Sequence, residues 1–366
     1  MNKNLSATGI LSGTIIGAGI FSLPYVFSQV GLLYGLFYLI GFALVYFVIH
    51  SMYAELLLKE PGQHQFFYLA KKYLPSHIAR IASFSILAEL VLVLVAYLIL
   101  AGVFMELALG LGGTSGVLIF WIIGSVFIFT KLRWLGWIDF LDTIGILVII
   151  AVISFAGFDK QAQNISIVKD LSLPLLFLPF GPMLFSLSGR PGIAKVVEEY
   201  NTGTKKNPDS LKKVIWAGTF IPAVLYFLFA FSVLRLSPNV SSEALSGLNV
   251  APSLLALMGA VGIITIWTSY FMIGVNVKDI LRLDVGWTSW WSGVAAVFFP
   301  IALYFLGVRD FLGVVGFVGG ILLALEGIFV VAMWRKALPN SKWRRATPLL
   351  YVIFLAAMFY QIAIVL

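Results

Sequence analysis

The chain has 366 residues and not one cysteine. That excludes disulfides, thiolate-bound zinc and a cysteine nucleophile. Charge is scarce as well: 11% of residues are Asp, Glu, Lys or Arg, against about 25% in an ordinary soluble domain. There are only three histidines, no His-Glu-x-x-His run, and no pair of aspartates in the middle of an apolar stretch. Intramembrane metalloprotease and aspartyl chemistry therefore have no residues to stand on. A serine nucleophile is not excluded by residue type, but no histidine lies near a candidate serine in sequence. No lipidation motif is present. The first apolar run follows at once, without a short apolar region and small-residue cleavage site, so no cleaved signal peptide is expected.

What the chain has instead is apolar bulk: 61% of residues are hydrophobic and mean hydropathy is +1.02. It reads as an all-α polytopic membrane protein held in the lipid bilayer. Eleven runs are near or above the roughly 20 residues that a bilayer demands. They lie at about 6–30, 32–57, 78–109, 115–130, 139–157, 173–198, 212–236, 250–279, 287–307, 311–334 and 347–366. Residues 1–366 form one transmembrane domain on this reading. With the N-terminus in the cytoplasm, all 24 Lys and Arg except Lys160, Lys169, Arg235 and Arg309 fall on the inner side. Inner loops collect such residues, so the N-terminus is expected inside and the C-terminus outside. The same asymmetry accounts for the net charge of +8 and removes the argument for a nucleic-acid partner. Short loops and small size favour a prokaryotic cytoplasmic membrane. The stretch from Phe66 to Tyr73 interleaves aromatics with Lys71 and Lys72, and reads as a short helix lying in the interface. Asp139 and Asp142, beside Arg133, read as a charge pair at a helix start.

Two runs are not built to be continuous helices. The first contains Gly13-Thr14-Ile15-Ile16-Gly17-Ala18-Gly19-Ile20-Phe21-Ser22-Leu23-Pro24. Glycine costs a helix interior about 1 kcal/mol relative to alanine, and proline about 3. The sixth run packs Pro179, Gly181, Pro182, Gly189, Pro191 and Gly192 into fourteen residues. Broken helix at membrane depth is tolerated where it is buried in protein or lines a cavity. Interrupted spans in corresponding positions of two halves point to an inverted-repeat transporter with a midplane site. The repeats would be about 6–157 and 173–334, with 347–366 added. The outer half of the first run begins at free N–H groups near Gly17, Ala18, Gly19 and Ile20, which suit a carboxylate. The outer half of the sixth run is expected to end near Phe180–Leu184, where free carbonyls suit an ammonium. With Phe180, Gly181, Phe185 and Ser186 they outline an amino-acid site. The plainer alternative is that both breaks are kinks between closely packed helices.

The stretch Ile16-Gly17-Ala18-Gly19-Ile20-Phe21 resembles the glycine-rich first helix of the amino acid–polyamine–organocation superfamily. Gly13-Thr14-Ile15-Ile16-Gly17-Ala18-Gly19 with Leu23-Pro24 is similar to the aromatic amino acid (tryptophan/tyrosine) permeases and the amino acid/auxin permeases. Phe185-Ser186-Leu187-Ser188-Gly189-Arg190 resembles their sixth helix, and Thr268-Ser269-Tyr270-Phe271 with Gly274 and Asp279 their eighth. Arg190 stands where relatives often have histidine. The resemblance implies the leucine-transporter fold, a five-helix inverted repeat plus one helix, and secondary transport of amino acids. In that fold a hydroxyl pair on the eighth span faces carbonyls at the break of the first. Thr268 and Ser269, with the Ile16 and Gly19 carbonyls, are thus the place for Na⁺. The plainer reading has each hydroxyl bonding only its own helix.

Buried carboxylates are the alternative carriers, for H⁺. An ionisable group within a span is a functional-site hypothesis by default, and Glu89 and Glu326 both qualify. Each could equally bond a neighbouring helix. Arg190 follows the second break and needs a partner: Glu89, Glu198 or an acidic group of the substrate. It also suits a cytoplasmic gate. The leading reading is an amino-acid permease working by alternating access, with H⁺ or Na⁺ symport of an aromatic or other apolar amino acid. A membrane sensor, or an exchanger without ion coupling, is the alternative. A channel would need a ring of polar groups that no run supplies.

Overall fold

A computed structural model describes residues 3–60, 66–129, 135–158, 165–170, 172–202, 208–237 and 239–365. Arg133 and the side chains of Asp139 and Asp142 lie outside the described residues. The described chain is all helix and loop. In order it forms α1 (Lys3–Ile15), α2 (Leu23–Val30), α3 (Leu32–Lys59), α4 (Phe66–Tyr73), α5 (Ser76–Leu109) and α6 (Gly113–Ile128). It continues with α7 (Leu135–Phe158), α8 (Leu173–Phe177), α9 (Phe180–Leu187), α10 (Arg190–Thr202) and α11 (Pro208–Leu236). Last come α12 (Pro252–Leu283), α13 (Ser289–Phe305), α14 (Phe311–Phe317), α15 (Ala324–Ala337) and α16 (Thr347–Val365). A 3₁₀ turn, Ala18–Ser22, leads into α2, and a π-helical stretch, Val318–Leu323, joins α14 to α15.

Local chemistry places these ends. Asp310 caps α14, its carboxylate accepting from the N–H groups of Leu312 (3.2 Å) and Gly313 (3.0 Å). The long α5 stops where Gly110 turns left-handed, at φ 68°, a conformation that a side chain would resist. Among the described residues, six unbroken helices are long and apolar enough to cross a bilayer, and α1 with 18–30 makes a further pair bent by 50°. Three shorter apolar helices accompany them, at Gly113–Ile128, Ile144–Gly157 and Ser289–Phe305. The chain is an integral membrane protein.

Packing sorts the helices into two groups. In one, α1, α3, α9, α10 and α11 pack on one another; in the other, α5, α6, α12 and α13 do so. Helix α7 touches both, lying along α11 and α12. Helix α14 also joins them, through α9 and α5. The seam carries aromatic contacts: Phe21 meets Phe104 of α5 at 5.2 Å and Phe229 of α11 at 5.8 Å. Loops meet their own face: Lys59 Nζ donates to the Ala337 carbonyl, and Lys278 Nζ to that of Ile128. On another face, Leu32 and Leu33 donate to Ser166 and Ile167.

Candidate functional site

Both interruptions expected from the sequence are present. Helix α1 ends at Ile15, Gly17 is extended (φ −147°), and the chain restarts as the 3₁₀ turn at Ala18. The second break is shifted from its expected place. Helix α9 does not stop near Phe180–Leu184 but runs on to Leu187, and the gap falls at Ser188 and Gly189. The reason lies in where the prolines sit. Pro174, Pro182 and Pro191 all fall within the first three residues of their helices, where a missing N–H costs no intrahelical bond. They start helices instead of breaking them. The free carbonyls of α9 accordingly lie in its last turn, from Leu184 onward.

The two breaks touch each other. A Cβ built on Gly19 would stand 2.6 Å from the Ser186 Cα, so only glycine permits the approach. One on Gly189 would stand 2.5 Å from the Ile15 side chain. A single hydroxyl ties them together. Tyr226 of α11, fully buried, places its Oη 2.7 Å from the Ile15 carbonyl and 2.9 Å from the Ser186 carbonyl. Its oxygen also faces the Gly17 N–H. Tyr46 of α3 donates to the Leu184 carbonyl at 2.6 Å, and the Tyr97 hydroxyl lies 3.5 Å from a Cβ built on Gly17. These three tyrosines satisfy or face backbone that the breaks leave open. Sequence reasoning did not single them out. The only signal was a polar tip on an aromatic within an apolar run, such as Tyr226, the one tyrosine between 208 and 236.

The remaining expected residues divide. Ile16 is buried and its N–H donates to Ser12; Ala18 and Ile20 lie buried in the 3₁₀ turn. Ser186 is buried, its hydroxyl bonded to the Pro182 carbonyl of its own helix. Phe185 lies half-buried in the same turn. Phe180 and Gly181 sit further back. Phe180 packs edge-on against Phe42 and Tyr38. Gly181 lies against the backbone of Gly316 and Gly319, a contact that closes α9 onto the π-helical stretch. Thr268 donates to the Thr265 carbonyl at 2.7 Å, within its own helix, and Ser269 is half-buried one residue on.

The charged residues converge. Arg190 Nε donates to Glu326 Oε2 at 2.8 Å, with side-chain exposures of 14% and 6%. Glu89, also buried, interacts with both Glu326 and Arg190, and its Oε2 has no hydrogen-bond partner among the described residues. Arg190 thus bonds Glu326, a residue that was not among the partners expected for it. The Phe66 ring of α4 lies 5.3 Å from the guanidinium, and the Tyr53 hydroxyl of α3 faces it. One residue after the second break, the chain is pinned by charge.

With this geometry in hand, comparison with known proteins is decisive on one point. The tryptophan/tyrosine permease family model matches residues 1–365. The chain belongs to that family. It is a permease and not an enzyme. It is 33% identical, over 130 residues, to "Vacuolar amino acid transporter 5" of Schizosaccharomyces pombe. That match spans 34% of this chain and 31% of the relative's length. Solved structures share the fold at low identity. A manganese transporter of Eremococcus coleocola superposes with TM-score 0.63 at 11% identity, covering 97% of this chain and 84% of the other. MhsT in complex with L-phenylalanine gives 0.62 at 11%, covering 98% and 97%. Mhp1, a nucleobase-cation-symport-1 family transporter, gives 0.59 at 11%, covering 99% and 90%. The architecture is therefore a transporter fold, and the permease is a secondary transporter.

Proposed function

We propose that the permease moves an aromatic or other apolar amino acid by alternating access, with a cation as co-substrate. The observation that carries this is the Tyr226 hydroxyl, which lies on the open ends of both broken spans at once. The substrate carboxylate would meet the N–H groups of Ala18 and Gly19, since the first N–H groups of a helix lack partners within it, and those of Gly17 and Ile20 by taking the places of the Tyr226 oxygen and the Gly17 carbonyl. The ammonium would meet the last carbonyls of α9, close to Phe185 and Ser186. Phe180 and Gly181 stand behind that turn and shape it. The phenylalanine bound to MhsT and the vacuolar relative's amino-acid substrate support this class.

With the shorter apolar helices and the three-piece segment 173–202 taken as spans, the chain would cross the bilayer eleven times: five, five in inverted order, and one more. The Lys/Arg asymmetry puts the N-terminus in the cytoplasm. The α1–α3–α11 group would rock against the α5–α12 group, with Arg190 at the inner gate. For the cation there are two candidate places. Thr268 and Ser269 with the Ile16 and Gly19 carbonyls would suit Na⁺; Glu89 and Glu326 would suit H⁺.

The test is uptake of labelled tryptophan into proteoliposomes under an inward Na⁺ or H⁺ gradient, with other amino acids as competitors. Accumulation under one gradient identifies the ion. Exchange without either gradient makes the protein an uncoupled exchanger. Neither uptake nor competition by any amino acid would end the amino-acid reading.

A further inference from the structure

Count the charges at the inner end of the second break: two carboxyls, Glu89 and Glu326, and one guanidinium, Arg190. Both carboxyls are buried and the guanidinium is nearly so, with 14% of its side chain exposed. Among the described residues, no second lysine or arginine acts on Glu89 or Arg190; His50 of α3 stands beside the break, 3.3 Å from a Cβ built on Gly189, with its Nδ1 on the Thr219 hydroxyl. From α3 come the hydroxyls of Tyr46 and Tyr53, and from α4 the Phe66 ring. Both phenols stay neutral at ordinary pH. An uncompensated charge buried away from water costs several kcal/mol, so the packed arrangement is balanced only when one proton sits on the carboxyl pair. The three residues also come from different parts of the fold. Glu89 is on α5, in one helix group; Arg190 is on α10, in the other; Glu326 is on α15, just past the π-helical stretch. The cluster therefore bridges the seam along which the groups would part.

We propose that Glu89, Glu326 and Arg190 form a one-proton latch, in which a proton shared by the two carboxyls holds α10 closed and its loss releases it. In the loaded state Glu326 carries the charge that pairs with Arg190, while Glu89 is a neutral acid. Release breaks one O–H bond and gives the proton to water. The second carboxylate left behind has no cation of its own. It gains by drawing water in, and the α10 half moves to admit it. The proton belongs to the pair and not to either acid alone. This rests on the transporter reading above and names the ion and gate of the same site.

The test exploits the absence of cysteine. Val196, 1% exposed on α10, is replaced to give the Val196→Cys protein, which is set in nanodiscs so that both faces meet solvent. The rate of N-ethylmaleimide labelling is followed from mildly acidic to mildly alkaline pH. Dividing by the rate in Val196→Cys/Glu89→Gln at each pH removes the reagent's own pH dependence. The expected ratio is near one in acid and rises about tenfold in alkali, the Gln variant staying closed throughout. Glu326→Gln should be equally flat, because Glu89 then pairs Arg190 at every pH. Glu89→Asp, which keeps the titrating group, should restore the rise and so shows that a flat Gln variant is not simply misfolded. A ratio that stays at one across the range, or a rise that persists in Glu326→Gln, overturns the latch. Added tryptophan reports separately: if it leaves labelling unaltered at every pH while the rise remains, the substrate reading fails and the latch stands.

Discussion

The two breaks are built differently. The first, between Ile15 and Ala18, is neutral: extended glycine, buried apolar neighbours and a 50° bend. The second, at Ser188 and Gly189, is followed at once by a charge that reaches across to another helix. A neutral break offers backbone groups to a ligand and little else. A charged one adds a group whose balance depends on protons. In the proposed mechanism, the first kind would serve recognition and the second control. The two are joined where Gly19 meets Ser186 and where one tyrosine bonds both.

The largest expected effect is at that junction. Gly19→Leu would drive a side chain into the Ser186 backbone, and uptake of labelled tryptophan should fall to background. Retained uptake would mean that the breaks do not work as one site. Next comes the charged break. Arg190→Ala leaves Glu326 buried without its partner, and loss of one member of a buried pair costs about 3–5 kcal/mol. Unfolding in detergent should register that drop, and Arg190→Met with Glu326→Met should recover most of it. A double mutant as unstable as the single would show that the pair matters for more than its charge.

Tyr226→Phe tests the link itself. It strips hydrogen bonding from two buried carbonyls, a loss of about 1–3 kcal/mol, and should lower uptake while leaving the pH dependence at Arg190 intact. Smaller still is Thr268→Ala. Its hydroxyl bonds only the Thr265 carbonyl among the described residues, so stability should change by about 1 kcal/mol or less. If Thr268→Ala with Ser269→Ala abolishes a Na⁺ dependence of transport, the neutral break holds the cation after all.

Glu243, in the loop before α12, is a reference outside both breaks. Burial alone would raise its carboxyl, but hydrogen bonds from Ser246 and Ser242 overcome this and hold it below the usual value. A carboxyl so depressed adds stability above its unfolded value of about 4 and loses it as pH falls through the folded one. Glu243→Gln should remove that acid step in a thermal scan, with transport unchanged near neutrality.

The apolar runs were legible in the sequence because bilayer thickness imposes a length and lipid imposes a composition; each expected run contains a helix. Gly17 and Gly19 marked the first break, since nothing but a need for open or closely approached backbone explains them. The second break was located only to within a turn. A proline's effect depends on whether it opens a helix or interrupts one, and that is decided by where the preceding helix ends. Tyr226, Tyr46 and Tyr97 gave no clear sign, because a phenol within an apolar run has the same sequence signature whether it faces lipid or a broken helix. Glu89, Arg190 and Glu326 each stood out as a charge within a span, and Glu89 was one of the partners open to Arg190. That they form one cluster, with two acids to one base, follows from α5, α10 and α15 meeting in space. Hydropathy reports what each residue costs in lipid, one at a time. Which charges share that cost is a matter of packing, and only the tertiary structure decides it.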